Sequence, residues 1–127
     1  MIYPLNPPLA ELLLLSIISQ EDSYGYIISQ RLKTVSNLKD SALYPMLKRL
    51  SDQNYVEIYD QQFQGRNRKY YRITPMGETQ RANLLNEWKS YCNEIEAITQ
   101  KSPREQSEEP LEGSEQTLEV EGGKDND

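Results

Sequence analysis

The hydrophobic and polar positions along the chain predict three helices, then two strands, then a long final helix. In the helical segments apolar residues recur at roughly every third or fourth position, the period of an α-helix with one buried face. Asn6-Pro7 and Thr74-Pro75 are each a capping residue followed by proline, a pair that is typical of helix starts. The expected helices cover residues 7–19, 24–34, 40–53 and 75–98.

The first and third helices differ in how much of their surface is apolar. In the third helix Leu43, Leu47 and Leu50 form one stripe, which leaves the opposite face polar. The first helix is apolar on nearly all sides between residues 9 and 18. A domain of this size is expected to cover such a helix only with the help of a second copy, which places Leu12 at a dimer interface.

Residues 55–59 and 69–74 alternate between apolar and polar positions, as half-buried strands do. Residues 60–68 between them are expected to form a polar loop that holds Gly65. Three helices followed by a two-stranded wing is the plan of the winged helix-turn-helix, a DNA-binding fold. The predicted fold class is therefore mainly α with a small β-hairpin: a winged helix-turn-helix domain (1–74), a C-terminal dimerisation helix (75–100) and a disordered acidic tail (101–127).

The charge of the chain is distributed unevenly. The formal net charge is −6, but residues 105–127 alone hold nine acidic residues against Lys124. The preceding residues hold 13 basic and 11 acidic side chains, and residues 61–77 hold four basic ones and no acid. The tail is expected to be disordered because it has too few large apolar residues to form a core. A local positive patch on the remaining chain indicates a nucleic-acid partner.

The chemistry that most enzymes use is missing from the composition. The chain has no histidine, and Cys92 is its only cysteine, so the usual zinc sites, disulfides and histidine acid–base catalysis are excluded. We expect no metal, no cofactor and no enzymatic activity. Residues 9–18 are too few to span a bilayer, and Met1-Ile2-Tyr3-Pro4 lacks the basic region of a signal peptide. A cytoplasmic protein without a membrane partner is expected.

Double-stranded DNA is the predicted partner, and two segments carry most of the candidate contacts. The wing concentrates cations and amides near Gly65, where arginine and lysine can neutralise phosphates or enter the minor groove. The polar face of the third helix offers hydroxyls and an ammonium group to base edges. The candidate DNA-binding residues are Tyr24, Ser41, Tyr44, Lys48, Arg49, Arg66, Asn67, Arg68 and Lys69.

Plainer interpretations of the same residues stay open. The wing cations also fit the ordinary surface charge of a hairpin tip, and Tyr44 also fits a packing role. Tyr24 fits a phosphate contact no better than a structural position. Tyr26 follows a glycine on the apolar side of the second helix and is expected in the core.

The last helix carries a heptad seam, with apolar residues spaced 4, 3, 4 and 3 apart. A helix beyond the wing with little of its own domain left to pack against indicates a homodimer. The alternative is a helix that folds back on its own domain. The predicted interface consists of Leu12, Leu84, Leu85, Trp88, Tyr91, Cys92, Ile95 and Ile98.

These motifs together resemble the PadR-like transcriptional regulators, in particular the short members with a single C-terminal helix. The resemblance covers about residues 6–98. It rests on Tyr24-Gly25-Tyr26, on residues 42–50 with their Leu-Tyr-Pro sequence, on residues 65–74 of the wing and on Glu87-Trp88. The family often has proline where this chain has Asn67, which changes the conformation expected at the wing tip.

The resemblance implies a homodimer that binds a pseudo-palindromic operator, usually to repress transcription. It also implies a possible ligand, because some members bind flat aromatic drugs between paired tryptophans at the dimer centre. Trp88 resembles that tryptophan, although a role in dimer packing fits it as well. The main rival hypothesis is a winged-helix module that binds an acidic protein partner through its wing.

Overall fold

Four helices and three strands make up residues 5–100, which are the residues that the computed structural model describes. The predicted acidic tail lies outside this range. The elements are α1 (Pro7–Gln20), β1 (Ser23–Tyr24), α2 (Gly25–Leu32), α3 (Asp40–Asp52), β2 (Val56–Phe63), β3 (Arg66–Ile73) and α4 (Pro75–Thr99). The fold class predicted from the sequence, mainly α with a small antiparallel sheet as the wing, is confirmed.

Two of the helices, α1 and α4, begin at the positions that their capping residues predicted. The Asn6 side chain accepts a hydrogen bond from the Leu9 amide at 2.9 Å, with proline in the first turn of α1. Thr74 Oγ1 accepts one from the Gly77 amide at 3.0 Å at the start of α4. Each cap satisfies one of the amide donors that a helix start leaves without an intrahelical partner.

The chain covers most of α1 by itself. Six residues of this helix are buried, and the leucine stripe of α3 packs in the same core with Val56 and Tyr71 from the sheet. The expectation that α1 needs a second copy is therefore wrong in its reasoning. Leu12 is only 5% exposed in the single chain, where it belongs to a core cluster with residues of α2, α3, the sheet and α4. The buried residues of α1 are Ala10, Leu12, Leu14, Leu15, Ile17 and Ile18.

The wing is one part of a three-stranded antiparallel sheet with the order β1-β3-β2. A two-stranded hairpin was expected, and the additional strand is only two residues long. Ser23 pairs with Tyr71 and Tyr24 with Tyr70. Two residues are too few for alternation to be recognised in a sequence, so β1 carries no signal of its own. It joins the helices to the wing through backbone hydrogen bonds.

The strands of the wing extend through most of the predicted loop. β2 and β3 pair from Val56↔Ile73 to Phe63↔Arg66, so that only Gln64 and Gly65 form the turn. Both turn residues have positive φ, 52° and 77°, as a two-residue type I′ hairpin requires. The outer half of the ribbon is largely exposed on both faces, and all of its strand residues except Phe63 are polar. Apolar and polar positions therefore do not alternate there, and sequence periodicity missed these strand residues.

The second helix is shorter than expected, and one of its aromatic residues is placed differently. Tyr24 belongs to β1 and occupies the N-cap position of α2, which ends at Leu32. Tyr26 was predicted in the core but is 61% exposed. Ile28 and Leu32 fill the buried face instead, and Tyr26 stacks beside Tyr24 on the outside.

Contacts within the chain divide it into two units, Met1–Ser90 and Tyr91–Asp127. Residues 75–90 of α4 belong to the first unit and residues 91–99 to the second. In the part of the chain that is described, no helix is both long and apolar enough to cross a membrane.

We predict that Gly77 is essential for the close approach between the start of α4 and the backbone at Tyr55. A Cβ at this position would overlap the Tyr55 carbonyl oxygen and lie 2.8 Å from Ile73 Cγ1. The same carbonyl oxygen accepts the Thr74 amide at 3.1 Å, so backbone would have to move. Gly77→Ala should lower the free energy of unfolding by about 1–3 kcal/mol.

Urea unfolding followed by circular dichroism measures this loss. Asn83→Ala, an exposed substitution in the same helix, serves as the control and should leave stability within about 0.5 kcal/mol. Equal stability of Gly77→Ala and the control would show that the close approach does not constrain the fold.

Candidate nucleic-acid interface

The exposed face of α3 carries four of the predicted site residues. Ser41, Tyr44, Lys48 and Arg49 all lie outside the core, opposite the buried leucine stripe. Lys48 Nζ forms an ion pair with Asp52 at 3.1 Å, one helical turn further along. Both side chains are largely exposed, so the pair is worth at most about 1 kcal/mol and does not hold Lys48 firmly. The ammonium group remains available to an incoming anion.

Tyr44 combines the packing role and the exposed role that the sequence left open. Its ring lies so close to Gly25 that a Cβ there would be 2.5 Å from the Tyr44 hydroxyl. The side chain is nevertheless 46% exposed. Burial raises the pKa of Tyr71, and the nearby Tyr44 contributes to that rise. The absence of a side chain at Gly25 therefore provides the space that the end of the Tyr44 side chain occupies.

The wing separates its predicted site residues onto two faces, because successive residues of a strand point in opposite directions. Asn67 and Lys69 lie on the face that continues from the buried Tyr71, which we term the core-side face. Arg66 and Arg68 lie on the opposite, outer face, together with Phe63 of β2. A run of four neighbouring polar residues in the sequence therefore supplies two different surfaces.

A shallow cleft brings the start of α2, the exposed face of α3 and strand β3 together. Five of the nine predicted DNA-binding residues line it: Tyr24, Tyr44, Asn67, Arg68 and Lys69. Gly25, Tyr26 and Tyr71 complete its wall. A second cleft beside it includes Lys48, Ile58 and Lys69. Ser41 and Arg49 line neither cleft, and Arg66 lies near the turn.

Arg68 is stacked on two aromatic rings. Its guanidinium carbon lies 3.8 Å from the centre of the Phe63 ring and 4.2 Å from the centre of the Tyr24 ring. Arg66 has no ring stack or ion pair with any residue in the described range 5–100. Asn67 Oδ1 accepts a hydrogen bond of 3.3 Å from the side-chain Nε2 of Gln62 across the hairpin.

Sequence reasoning missed several residues that shape this surface. Tyr59 donates a hydrogen bond of 2.7 Å to Asp22, which raises the pKa of Tyr59. Arg72 pairs with Glu57 at 3.0 Å across the strands, and this hydrogen bond raises the pKa of Arg72. Neither contact can be predicted from the sequence, because each joins residues that are brought together only in the folded protein. Among residues 5–100, no group of three or more histidine, cysteine, aspartate and glutamate side chains is placed to hold a metal ion.

The predicted interface residues on α4 differ in exposure. Leu84 is buried at 9% exposure and Leu85 packs against the same core. Trp88 is 37% exposed. In the second unit Cys92 is half-buried, and exposure is substantial at Tyr91 (56%), Ile95 (43%) and Ile98 (73%).

Proteins of known structure share this architecture. A protein designated smu.1704 from Streptococcus mutans UA159 is 44% identical, with a TM-score of 0.76 over 82% of this chain and 98% of its own. A PadR family transcription regulator from Clostridium difficile R20291 is 29% identical, with a TM-score of 0.63 over 72% of this chain and 97% of its own. The PadR-like regulator BC4206 from Bacillus cereus is also 29% identical, with a TM-score of 0.68 over 73% and 93%.

A helix-turn-helix followed by a cationic wing defines the class of winged-helix DNA-binding proteins. The model of the transcriptional regulator PadR-like family matches residues 14–83. The chain therefore belongs to the PadR-like family and is a DNA-binding transcriptional regulator. An uncharacterised protein from Lysinibacillus sphaericus is 36% identical over 81 residues, which are 60% of this chain and 74% of that protein.

We predict that Gly25→Ala weakens DNA binding without unfolding the protein. The new methyl group would displace the far end of the flexible Tyr44 side chain rather than backbone. Alanine also favours a helix more than glycine does, so the free energy of unfolding should change by less than about 1 kcal/mol. Affinity for a specific duplex should fall by about 1–3 kcal/mol if Tyr44 contacts a base.

Fluorescence anisotropy and urea unfolding measure the two quantities separately. The double variant Gly25→Ala/Tyr44→Ala is the control, and it should bind no more weakly than Tyr44→Ala alone. Undiminished affinity of Gly25→Ala would show that the position of the Tyr44 ring is irrelevant to DNA binding.

Proposed function

We propose that this protein is a homodimeric transcriptional repressor that binds a pseudo-palindromic operator. The observation that supports this most directly is the cleft lined by Tyr24, Tyr44, Arg68 and Lys69. Hydroxyl groups and cations from the junction of β1 and α2, from α3 and from the wing converge there. A DNA backbone running along the cleft would meet donors from all three elements, and phosphate contacts of this kind set the register of a protein on DNA.

In this proposal α3 lies in the major groove. Tyr44, Ser41 and Lys48 are exposed on its polar face, and each carries a donor that can reach a base edge or a phosphate. Arg49 lies beside them and contributes charge. Lys48 exchanges Asp52 for a base acceptor or a phosphate when DNA binds, an exchange that costs little because the ion pair is exposed.

The wing supplies the contacts that do not depend on sequence. Lys69 and Asn67 line the cleft from the core-side face of the wing, and Arg66 lies near the turn on the outer face. Arginines near a hairpin tip suit a narrow minor groove, whose negative potential attracts them. Neutralising phosphates releases counterions, so this part of the affinity should depend steeply on salt.

The dimer interface is proposed to form along α4. Ile95 and Ile98 are 43% and 73% exposed, which is unfavourable for large apolar side chains unless a partner covers them. A two-fold pair would set two recognition helices about one DNA turn, roughly 34 Å, apart. Leu12 and Leu84 add little to such an interface because the single chain already buries them. Trp88 is the proposed stacking residue for a flat aromatic ligand at its centre.

The wing contacts predict a steep and residue-specific salt dependence. The logarithm of the affinity for a mixed-sequence duplex should fall linearly with the logarithm of salt concentration, and Arg66→Ala should reduce the slope by about 0.9. Arg72→Ala is a matched control, since it removes an equal charge from the same face, where Glu57 already neutralises it. Its slope should stay near that of the wild type.

Fluorescence anisotropy at several salt concentrations gives these slopes. Absence of duplex binding by the wild type would refute the proposed function. If affinity fell steeply with salt only for an acidic protein partner and not for a duplex, the chain would be a protein-binding module instead.

Ile95→Asp should weaken the dimer. The substitution would place an unpaired carboxylate in the interface of each protomer, and the dissociation constant of the dimer should rise by at least about tenfold. Asn93→Asp adds the same charge at an exposed position off the heptad seam and is the control. Sedimentation velocity over a concentration series measures both variants.

In Ile95→Asp, the affinity for a duplex with two half-sites about 10 base pairs apart should fall together with dimerisation. A wild-type protein that sediments as a monomer at micromolar concentration, yet protects a two-fold site, would contradict the proposed dimer.

A further inference from the structure

Aromatic rings on the outer face of the wing form a continuous stack around Arg68. Its guanidinium carbon lies over the Phe63 ring at 3.8 Å and over the Tyr24 ring at 4.2 Å. The Tyr26 ring continues the stack, 6.5 Å from that of Tyr24 and inclined to it by 21°. Four side chains thus link the first turn of α2 to the end of β2.

Three separate elements hold this stack in place. Tyr24 lies in β1, where it pairs with Tyr70 of β3, two residues along the strand from Arg68. Phe63 is the last residue of β2 and shares the outer face with Arg68. The type I′ turn at Gln64 and Gly65 fixes the register between the two strands. The position of the guanidinium group therefore follows from the backbone of the sheet.

Stacking covers the faces of the Arg68 guanidinium group and leaves its N–H donors accessible. Arginine is planar, so rings can cover its faces while its N–H groups point outward along the edge. No carboxylate in the described part of the chain pairs with Arg68. The donors of that edge are thus oriented before any ligand arrives.

The two neighbouring arginines of the outer face make a natural comparison. Arg72 also lies over a ring, that of Tyr59 at 4.8 Å, but Glu57 accepts its N–H groups at 3.0 and 3.2 Å. Arg66 has neither a ring nor a carboxylate among residues 5–100. Of these three arginines, Arg68 alone is both held by rings and unpaired with a carboxylate.

We propose that Phe63 and Tyr24 are positioning residues that hold Arg68 ready to bind a DNA phosphate. This inference rests on the proposed DNA-binding function and deepens it. Immobilising a long side chain in a complex costs about 0.5–1.5 kcal/mol, which corresponds to roughly twofold to tenfold in affinity. The stack removes that cost by ordering Arg68 in the free protein, whereas Arg66 must be ordered on binding.

Phe63 is the better position to test, because its side chain cannot itself bond to phosphate. It is 42% exposed, so its replacement should not disturb the core. Phe63→Leu keeps apolar bulk and removes the ring, while Phe63→Tyr keeps the ring. Affinities of both variants for a mixed-sequence duplex of roughly 20 base pairs are measured by anisotropy, alone and combined with Arg68→Ala or with Arg66→Ala.

Phe63→Leu should weaken binding by about twofold to tenfold, whereas Phe63→Tyr should bind like the wild type. The loss should vanish in the Arg68→Ala background and persist in the Arg66→Ala background. In the free protein, ring currents should shift the Arg68 side-chain NMR resonances upfield, and this shift should shrink in Phe63→Leu.

An equal loss from Phe63→Leu with and without Arg68 would overturn the proposal, as would the absence of the upfield shift in the wild type. Failure of the wild type to bind the duplex would refute the proposed function itself, and this inference with it. Wild-type binding with no coupling between Phe63 and Arg68 would refute the inference alone.

Discussion

The pairing of Ser23 and Tyr24 with β3 is the contact on which the arrangement of the proposed DNA-binding surface depends. It is only two residues long, yet it joins the helix-turn-helix to the wing through backbone hydrogen bonds. Gly25 begins α2 immediately after this pairing, and the Tyr24 ring packs against that of Tyr70 at 5.4 Å. Because β1 ends where α2 starts, any rotation of the wing would also move the start of α2. The cleft that collects the proposed DNA contacts exists only in this geometry.

Two glycines allow elements to approach closely around that pairing. Gly25 leaves room for the Tyr44 ring of α3, and Gly77 leaves room for the Tyr55 carbonyl beside the start of α4. In the first case a flexible side chain fills the space, and in the second case backbone fills it. The two positions therefore have different consequences. Gly25 affects where the Tyr44 ring, a proposed DNA contact, lies, whereas Gly77 affects how closely α4 packs against the backbone at Tyr55.

Neighbouring cations of the surface differ in what surrounds them. Glu57 neutralises Arg72, and Asp52 pairs loosely with Lys48. Arg68 is held by two rings and has no carboxylate in the described range, and Arg66 has neither kind of contact there. Charge alone would make these residues equivalent. Their surroundings nevertheless differ: the four side chains comprise a cross-strand ion pair, an exposed ion pair, a guanidinium group stacked on two rings and, within residues 5–100, one with none of these contacts.

The sequence by itself determined the four helices, the side-chain caps of α1 and α4, and the family. Helical periodicity and the Asn6 and Thr74 caps are local, since they depend on residues at most a few positions apart. It also located most of the cleft, because Tyr44, Asn67, Arg68 and Lys69 were identified from residue type and motif. Strand β1, the type I′ turn and the exposure of Tyr26 were missed. Each of these depends on pairing or packing between segments that are distant in the chain.

Only the tertiary structure decided which neighbouring residues share a surface. Arg66, Asn67, Arg68 and Lys69 are one basic run in the sequence, but β-strand alternation separates them onto two faces. The core of α1 shows the same limit, because periodicity revealed an apolar helix but not what covers it. The stack of Tyr24, Arg68 and Phe63 joins three elements. It could not be read from the sequence, since a contact between strands is set by register, and register is a property of the folded sheet.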